Sequence, residues 1–454
     1  MVSFEQAIPT AETVILRWRK FSALKEVTII RDVFGHLAFL LSVGNSASIE
    51  ERAQTELESD LRASLGVYFS GRIISQEGRH SDLENRVISD IQSLRQLSKM
   101  TGGCSWYYVE RVIAKKAWLD RSGTVSPIWS YDEACAGSKP KVVTFYSFKG
   151  GMGRTTALAA SALILAQKGK TVLTVDTDVE APGLFSIFFD DSLIQMGTVD
   201  FLMEYQADPN YAPDMREYLA SVDGTALKAE ITGDIYIIPA GKMNESYLSR
   251  LARIDYQDTT PDGMKKALSK LIECAVDFIE SSGKSVDYVL LDARAGFHDM
   301  GGVITAQIPH GIVLLGRDNP QSWNGMKEVI RLAASAQEDV VPIVIVDSMH
   351  NSTAGTSQQK ESFKMQAYTL CCDGYYTDVQ PSLDADGEAH SPVYVSYEPQ
   401  LNEEVRLYSD GSAGQNEMFQ TVKNILSGPD YQAIVERICG WFGDDLKEGN
   451  NDHD

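Results

Sequence analysis

A doubly wound, mostly parallel α/β sheet is the fold class that this sequence predicts for its larger part, with a smaller N-terminal α/β or α+β domain before it. Three observations predict it. From Lys141 onward, short apolar runs alternate with longer stretches of helical spacing: VVTFYS (142–147), TVLTVD (171–176), IYIIPA (235–240), DYVLLD (287–292), GIVLLG (311–316) and PIVIVD (342–347). Those runs lack the polar alternation of a half-exposed strand, as parallel strands covered on both faces do. A glycine-rich segment follows the first run directly, at the carboxyl end of a strand, where such sheets bind their ligands.

The chain has 454 residues, enough for two or three domains at roughly 100–200 residues each. Residues 1–135 read as an N-terminal accessory domain. After a first helical stretch, VTIIR and LAFLLSV form a strand pair across Asp32-Val33-Phe34-Gly35, whose Asp and Gly suit a turn. Ser48 is placed to cap a helix carrying Ile49, Ala53, Leu57, Leu61 and Leu65, and Gly66 to end it. A second helix is expected over 82–98 and a third containing WYYVERVIAKKAWL. Nothing in this domain reads as chemistry.

Residues 136–140 (Ala-Gly-Ser-Lys-Pro) are a linker by composition. The domain that follows is expected to span 141–442, with its motif-bearing core in 141–350. Beyond 350 the pattern weakens into a polar stretch and recovers in a helix near 415–442. Residues 443–454, GDDLKEGNNDHD with Gly443 included, read as a disordered acidic tail.

The segment after the first strand is Phe148-Lys149-Gly150-Gly151-Met152-Gly153-Arg154-Thr155-Thr156, and it opens a helix apolar nearly all round. Glycines let the backbone curl with its N–H groups inward, and the helix N-terminus adds the positive end of its dipole; together they make an anion cradle. The plain alternative is a glycine-rich turn with no ligand. Against the pattern G-x-x-x-x-G-K-[ST], Gly153 and Thr155 are in place, while Phe148 replaces the first glycine and Arg154 the lysine.

The spacing resembles the deviant phosphate loop of the ParA/MinD ATPases, K-G-G-x-G-K-[ST], and more closely the K-G-G-x-G-R variant of that family. The resemblance covers about 141–350 and implies ATP and Mg²⁺ as cofactors. Gly150, Gly151, Met152, Gly153, Arg154, Thr155 and Thr156 would bind the nucleotide, with Thr155 also on the metal and Thr156 near the α-phosphate. Arginine brings a planar, permanently charged fork that pairs with phosphate oxygens. Lys149 corresponds to the lysine that reaches the partner's phosphates in a nucleotide-sandwich dimer; acting only in cis is its other reading.

Two acidic segments accompany the loop. Asp176-Thr177-Asp178-Val179 resembles the family's D-x-D-P: Asp178 would orient the attacking water and Asp176 support the metal. Val179 departs from the usual proline, and both aspartates could instead merely end a strand. YVLLD has the Walker B form, with Asp292 holding Mg²⁺. It continues as Ala293-Arg294-Ala295-Gly296-Phe297-His298-Asp299, similar to the variant family's Ser-Arg-x-Gly-x-x-Asp. Gly296 could then offer its N–H to the γ-phosphate, Arg294 either stabilises developing charge or pairs with Asp299, and His298 reads as structural. Asn319 lies in a segment similar to the variants' Asn-x-Gln and is expected at the nucleotide. Asp347 ends the sixth strand where many relatives carry an Asn near the base; without Asn and Lys just before it, guanine recognition is excluded and ATP preferred.

Composition narrows the function. With 41 Lys plus Arg against 63 Asp plus Glu, the formal charge is −22, which disfavours direct nucleic-acid binding. Six cysteines form no C-x-x-C pair, against a zinc or iron–sulfur bridge and in keeping with a reducing, cytoplasmic setting. No signal peptide is expected, because MVSFEQAIPTAETVILRWRK has no basic region followed by an uninterrupted apolar stretch, and no membrane span, because the Val27–Val43 run is short and interrupted by Arg31, Asp32 and His36. A last helix with Tyr431, Ile434, Val435, Ile438 and Phe442 on one face reads as packing rather than membrane attachment, because Asp444, Asp445 and Glu448 follow. The Trp106, Tyr107, Tyr108 and Trp118 cluster reads as core rather than a base-stacking platform. The resemblance implies a slowly hydrolysing ATP switch that forms a nucleotide-dependent homodimer and controls a protein partner of unknown identity. Alternatives are a nucleotide-gated scaffold with negligible hydrolysis, and a kinase or ligase needing an acceptor pocket. Proteins resembling the K-G-G-x-G-R variants often sit in bacterial conflict or antiphage operons.

Overall fold

The computed structural model describes residues 2–44, 49–76, 80–112, 114–119, 127–254, 263–335, 340–350, 356–377, 379–402 and 404–444. It divides into two compact units, Met1–Ile113 and Ala114–Asp454.

The first unit is a five-stranded mixed sheet in the order β3-β2-β1-β5-β4, built from β1 (Leu24–Arg31), β2 (Leu37–Val43), β3 (Phe69–Ser75), β4 (Gln96–Thr101) and β5 (Cys104–Glu110). The β1–β2 hairpin closes as its residues require: the Asp32 carboxylate accepts from the Phe34 and His36 N–H groups at 2.9 and 2.8 Å, and Gly35 takes φ +90°. Helices Phe4–Arg17 and Glu51–Leu65 cover one face, where Ala53, Leu57, Leu61 and Leu65 are buried at their four-residue spacing. Glu50 holds the N-cap position of the second helix; Ser48 lies outside the described residues. Asp82–Leu94 packs on the other face through Ile88 and Ile91.

The expected helix through Trp106 is instead strand β5. Cys104 and Trp106 face one core and Val109 the other, the period of a strand. Gly102 and Gly103, both at positive φ, form the tight turn from β4, a pair of residues typical of a two-residue hairpin. Correspondingly, the helix from 82 ends at Leu94 and not 98.

The second unit carries an eight-stranded sheet in the order β13-β12-β11-β6-β10-β7-β9-β8. All six apolar runs form its strands: β6 (Lys141–Ser147), β7 (Thr171–Asp176), β9 (Asp234–Ile238), β10 (Tyr288–Asp292), β11 (Gly311–Gly316) and β12 (Ile343–His350). Two short edge strands, β8 (Ala220–Ser221) and β13 (Val393–Ser396), complete it. Every neighbouring pair is parallel except β8–β9. Helix Arg154–Gln167 packs on one face with Ala413–Leu426 and Pro429–Trp441, and the opposite face carries Gly263–Ser281, Asp299–Ala306, Pro320–Ser335 and Thr356–Gly374. Burial on both faces is why the strands lack alternation.

The boundary of the units lies before the helices Lys116–Leu119 and Tyr131–Cys135, which sequence places in the N-terminal domain; Ala117, Trp118 and Ala134 are buried in the second unit. Residues 136–140 connect Tyr131–Cys135 to β6. The expected single helix near 415–442 is two, broken at Ser427-Gly428 with Pro429 opening the second. Its Tyr431, Ile434, Val435, Ile438 and Phe442 all lie in the core. Asp444 is pinned rather than frayed, bonded to Lys141 at 3.2 Å and to the Tyr288 hydroxyl at 2.5 Å; the tail beyond it, 445–454, lies outside the described residues. No helix among the described residues is long and apolar enough to cross a membrane.

Candidate functional site

β6 ends at Ser147, and the chain turns through Gly150–Gly153 into helix Arg154–Gln167. The turn depends on glycine at two positions: Gly151 and Gly153 have φ +73° and +68°, a region where a side chain is strained. A Cβ added at Gly150 or Gly151 meets no heavy atom within 4 Å, so the curl stands clear of the molecule's own described side chains there. Lys149 is exposed at its mouth, in no ion pair among the described residues, while its carbonyl accepts from Ser147 Oγ at 3.0 Å.

Strand register brings the acidic residues to this turn. Asp292 at the tip of β10 is paired directly with Asp176 at the tip of β7. Arg154, 9% exposed, lies between two carboxylates: its Nε donates to Asp292 Oδ1 at 2.6 Å and its Nη2 to Asp178 Oδ2 at 2.8 Å. Thr155 Oγ1 donates to the second Asp292 oxygen at 2.7 Å. Asp176 accepts backbone N–H groups from Asp178, Gly183 and Leu184 at 3.0, 3.2 and 3.1 Å. The loop holding Asp178 is therefore tied down without the proline at 179.

Three aspartates crowd this corner, and Arg154 bonds two of them. Burial, reinforced by the nearby Asp292 charge, pushes Asp176 up to about 8. Asp292 is likewise raised by burial, against the pull of Arg154 and Thr155. Such a set of hard oxygen donors short of positive charge suits a small divalent cation. Among the described residues no group of three or more His, Cys, Asp or Glu side chains is arranged to hold a metal ion by itself.

The remaining expected residues fall as follows. Gly296, at φ +76°, stands so that an added Cβ would lie 3.8 Å from the Phe148 carbonyl, beside the glycine turn. Arg294 pairs with Glu180, not with Asp299, and His298 Nε2 lies 2.9 Å from the same glutamate; burial depresses the His298 pKa. Asp299 pairs instead with Lys115 at 2.8 Å. Asn319 spends its side-chain oxygen on the Ser322 N–H at 2.9 Å, capping Pro320–Ser335. Asp347 is turned to His350 Nδ1 at 2.9 Å.

Beside the turn lies a small cavity of about 60 Å³ bounded by Gly153, Thr156, Leu315, Ser348, Tyr397 and Glu398, with neither Asn319 nor Asp347 in its wall. Ser348 Oγ is buried there without a hydrogen-bond partner among the described residues, and Met349 has φ +54°. Sequence reading missed Ser348, Tyr397 and Glu398; the run ending at Asp347 pointed only to the neighbourhood of the first.

A family profile described as the CobQ/CobB/MinD/ParA nucleotide binding domain matches residues 143–377, just over half of the chain. The chain is 29% identical over 139 residues to the septum site-determining protein MinD of Buchnera aphidicola (subspecies Schizaphis graminum), covering 31% of this chain and 43% of that protein. It is 30% identical over 159 residues to an uncharacterized ATP-binding protein of Methanocaldococcus jannaschii, covering 35% and 46%. The match thus spans about half the length of these relatives. Among solved structures, pNOB8 ParA bound to nonspecific DNA aligns at a TM-score of 0.43 and 16% identity over 66% of this chain and 99% of that one. MinD of Pyrococcus horikoshii complexed with Mg-ADP aligns at 0.39 and 15% over 67% and 98%. The match to the family profile, over a segment that runs from β6 through the glycine turn and all three aspartates, establishes that this chain belongs to the CobQ/CobB/MinD/ParA nucleotide-binding family.

Proposed function

We propose that the chain is a cytoplasmic Mg²⁺-dependent switch that binds ATP, hydrolyses it slowly, dimerises around the nucleotide and controls a partner assembly. The observation that carries this reading is the convergence of Arg154 and Thr155, at the start of one helix, on Asp292 at the tip of β10 and Asp178 in the loop just beyond β7.

The turn 150–153 and the N-terminus of Arg154–Gln167 receive the β- and γ-phosphates, and Thr156 adjoins the α-phosphate. The adenine would then lie beyond the turn toward Ser348 Oγ, the buried polar atom on that side. Thr155, Asp176 and Asp292 would hold the metal, whose charge would offset that of the phosphates and the crowded carboxylates. Arg154 exchanges its carboxylate partners for phosphate oxygens, which frees Asp178 to orient the attacking water. Lys149, exposed and in no ion pair among the described residues, is available to a second copy of the chain. The partner is a protein of unknown identity, since a net charge of −22 opposes nucleic-acid phosphates.

A second reading is a nucleotide-gated scaffold with negligible turnover. The observation that favours it is that Asp178, the residue meant to place water, is engaged by Arg154 at 2.8 Å. Single-turnover hydrolysis separates the two, because a scaffold retains its ATP.

Calorimetry with ATP and magnesium, phosphate release and light scattering test the proposal together. Asp178→Ala is expected to leave ATP affinity within a few-fold and to slow phosphate release about 100-fold or more. Lys149→Ala is expected to lower the ATP-dependent dimer fraction. A monomer that hydrolyses ATP at the full rate ends the dimer claim, and no heat with any purine triphosphate ends the nucleotide reading itself.

A further inference from the structure

The loop after β10, residues 293–299, is held from two sides. Toward the site, Arg294 and His298 both meet Glu180, two residues beyond Asp178. On its other side stands the short segment 114–119, which opens the second unit where the first ends at Ile113. Nothing in the sequence pattern marked that segment as functional.

Its contacts with the loop are specific. Trp118 Nε1 donates to the His298 carbonyl at 2.6 Å. The indole meets Phe297 edge-on at 5.1 Å and Tyr146 of β6 at 5.5 Å. Lys115 Nζ lies 2.8 Å from Asp299 Oδ2, and its backbone N–H donates to the other oxygen of that carboxylate. Lys115 has φ +67°, a conformation that residues with a side chain seldom adopt, so this double contact holds a strained backbone in place. Helix Asp299–Ala306 is notched to admit the segment: a Cβ at Gly302 would fall 2.9 Å from the Trp118 ring and 3.0 Å from Ala117.

The contacts continue into the phosphate loop. Phe297 lies 5.0 Å from Phe148, the residue standing where the general pattern has its first glycine. A Cβ at Gly325 would overlap the Phe148 ring, at 1.9 Å from Cγ. Trp118, Phe297 and Phe148 therefore form a packed line from segment 114–119 to the nucleotide turn, with Gly296 beside it.

We infer that residues 114–119 are a strap that positions the nucleotide-sensing loop 293–299, with Trp118 and Lys115 as its positioning residues. The inference rests on the nucleotide reading above. A γ-phosphate that draws Gly296 toward the turn moves Phe297 and His298, and both press on Trp118. The state of the nucleotide is thus imposed on segment 114–119.

The test uses the full chain, a fluorescent non-hydrolysable ATP analogue, fluorescent ADP and amide exchange read by mass spectrometry. Trp118→Ala is expected to weaken the ATP analogue about tenfold and ADP no more than about twofold, because only the triphosphate engages the loop. Exchange across 293–303 should rise in the same variant with no nucleotide added. Trp118→Phe, which keeps the ring packing, is expected to restore most of both effects. If Trp118→Ala fails to fold, Asp299→Ala, which removes both Lys115 contacts, is read for the same pattern. Unchanged exchange and unchanged affinities overturn the strap, as does an equal loss for both nucleotides. If the native chain binds neither nucleotide, the nucleotide reading fails by itself, and the nucleotide-free exchange comparison still decides whether the strap orders the loop.

Discussion

Replacing Arg154 by methionine removes the cation that Asp178 and Asp292 share while keeping most of the side-chain volume. Arg154 is 9% exposed and Asp292 1%, so water screens the pair little. Deleting one partner of a buried ion pair typically costs about 3–5 kcal/mol, because the other charge is left uncompensated. The low end applies here. Asp292 keeps the Thr155 hydroxyl at 2.7 Å and Asp178 keeps the Ala181 N–H at 3.3 Å. Burial also raises the Asp292 pKa, which lets that carboxyl take up a proton instead of remaining a bare charge. About 3 kcal/mol, with a urea slope near 3 kcal/mol/M, moves the midpoint by about 1 M. Urea titration followed by circular dichroism at neutral pH measures it. Adding Asp178→Asn to the methionine variant removes one stranded charge and is expected to recover about 1 kcal/mol, so the two changes are non-additive. A midpoint that hardly moves, or costs that simply sum, refutes the idea that Arg154 neutralises this cluster. The methionine variant should also fail to bind ATP.

Gly325→Ala is expected to destabilise the chain by about 1–3 kcal/mol through overpacking against Phe148, although alanine in an exposed helix would stabilise by somewhat under 1 kcal/mol; thermal melts decide the sign, and a stabilised variant refutes the packing argument. His310 is buried and neutral, accepting the Val142 N–H at Nδ1 and facing the Trp129 carbonyl through Nε2, both at 3.0 Å, and burial lowers its pKa to about 4. A base with a depressed folded pKa adds stability that is present above its unfolded pKa of about 6.5 and lost as pH falls toward 4. Roughly 3 kcal/mol of acid sensitivity follows from that gap, and His310→Gln should flatten this part of the pH–stability curve; an unchanged acid limb would show that the histidine is not its source.

The strands of the second unit were legible because burial on both faces leaves a local mark: TVLTVD and GIVLLG match β7 and β11 residue for residue. β13 was not legible, since it is only four residues long and alternates in burial at a sheet edge, unlike the longer apolar runs. The N-terminal unit shows how reading by period can miss. WYYVERVIAKKAWL has apolar residues that fit a helix, yet Trp106 pairs across to Val27 of β1 and Lys99 of β4, and cross-strand packing outweighs helical propensity there. The Gly102-Gly103 turn was the available sign.

For the site, the acidic tips and the glycine turn could be read from sequence, because each motif is short and its chemistry resides in consecutive residues. Where the side chains of Arg154, Asn319 and Asp347 go could not. Each is taken by a partner, and which partner wins depends on distances set by the fold: Arg154 meets Asp292 across 138 positions of sequence, while Asn319 and Asp347 find nearer partners in Ser322 and His350.

Sequence alone determined the parallel sheet, the phosphate-type turn and the aspartates beside it, since periodicity, glycine freedom and strand-end carboxylates are properties of a few adjacent residues. Tertiary structure alone decided that Arg154 is clasped by two of those aspartates, that residues 114–119 lie against loop 293–299, and that β5 is a strand. Those outcomes come from competition among groups far apart in the chain, and a buried charge or ring takes whichever partner the packed core brings within reach.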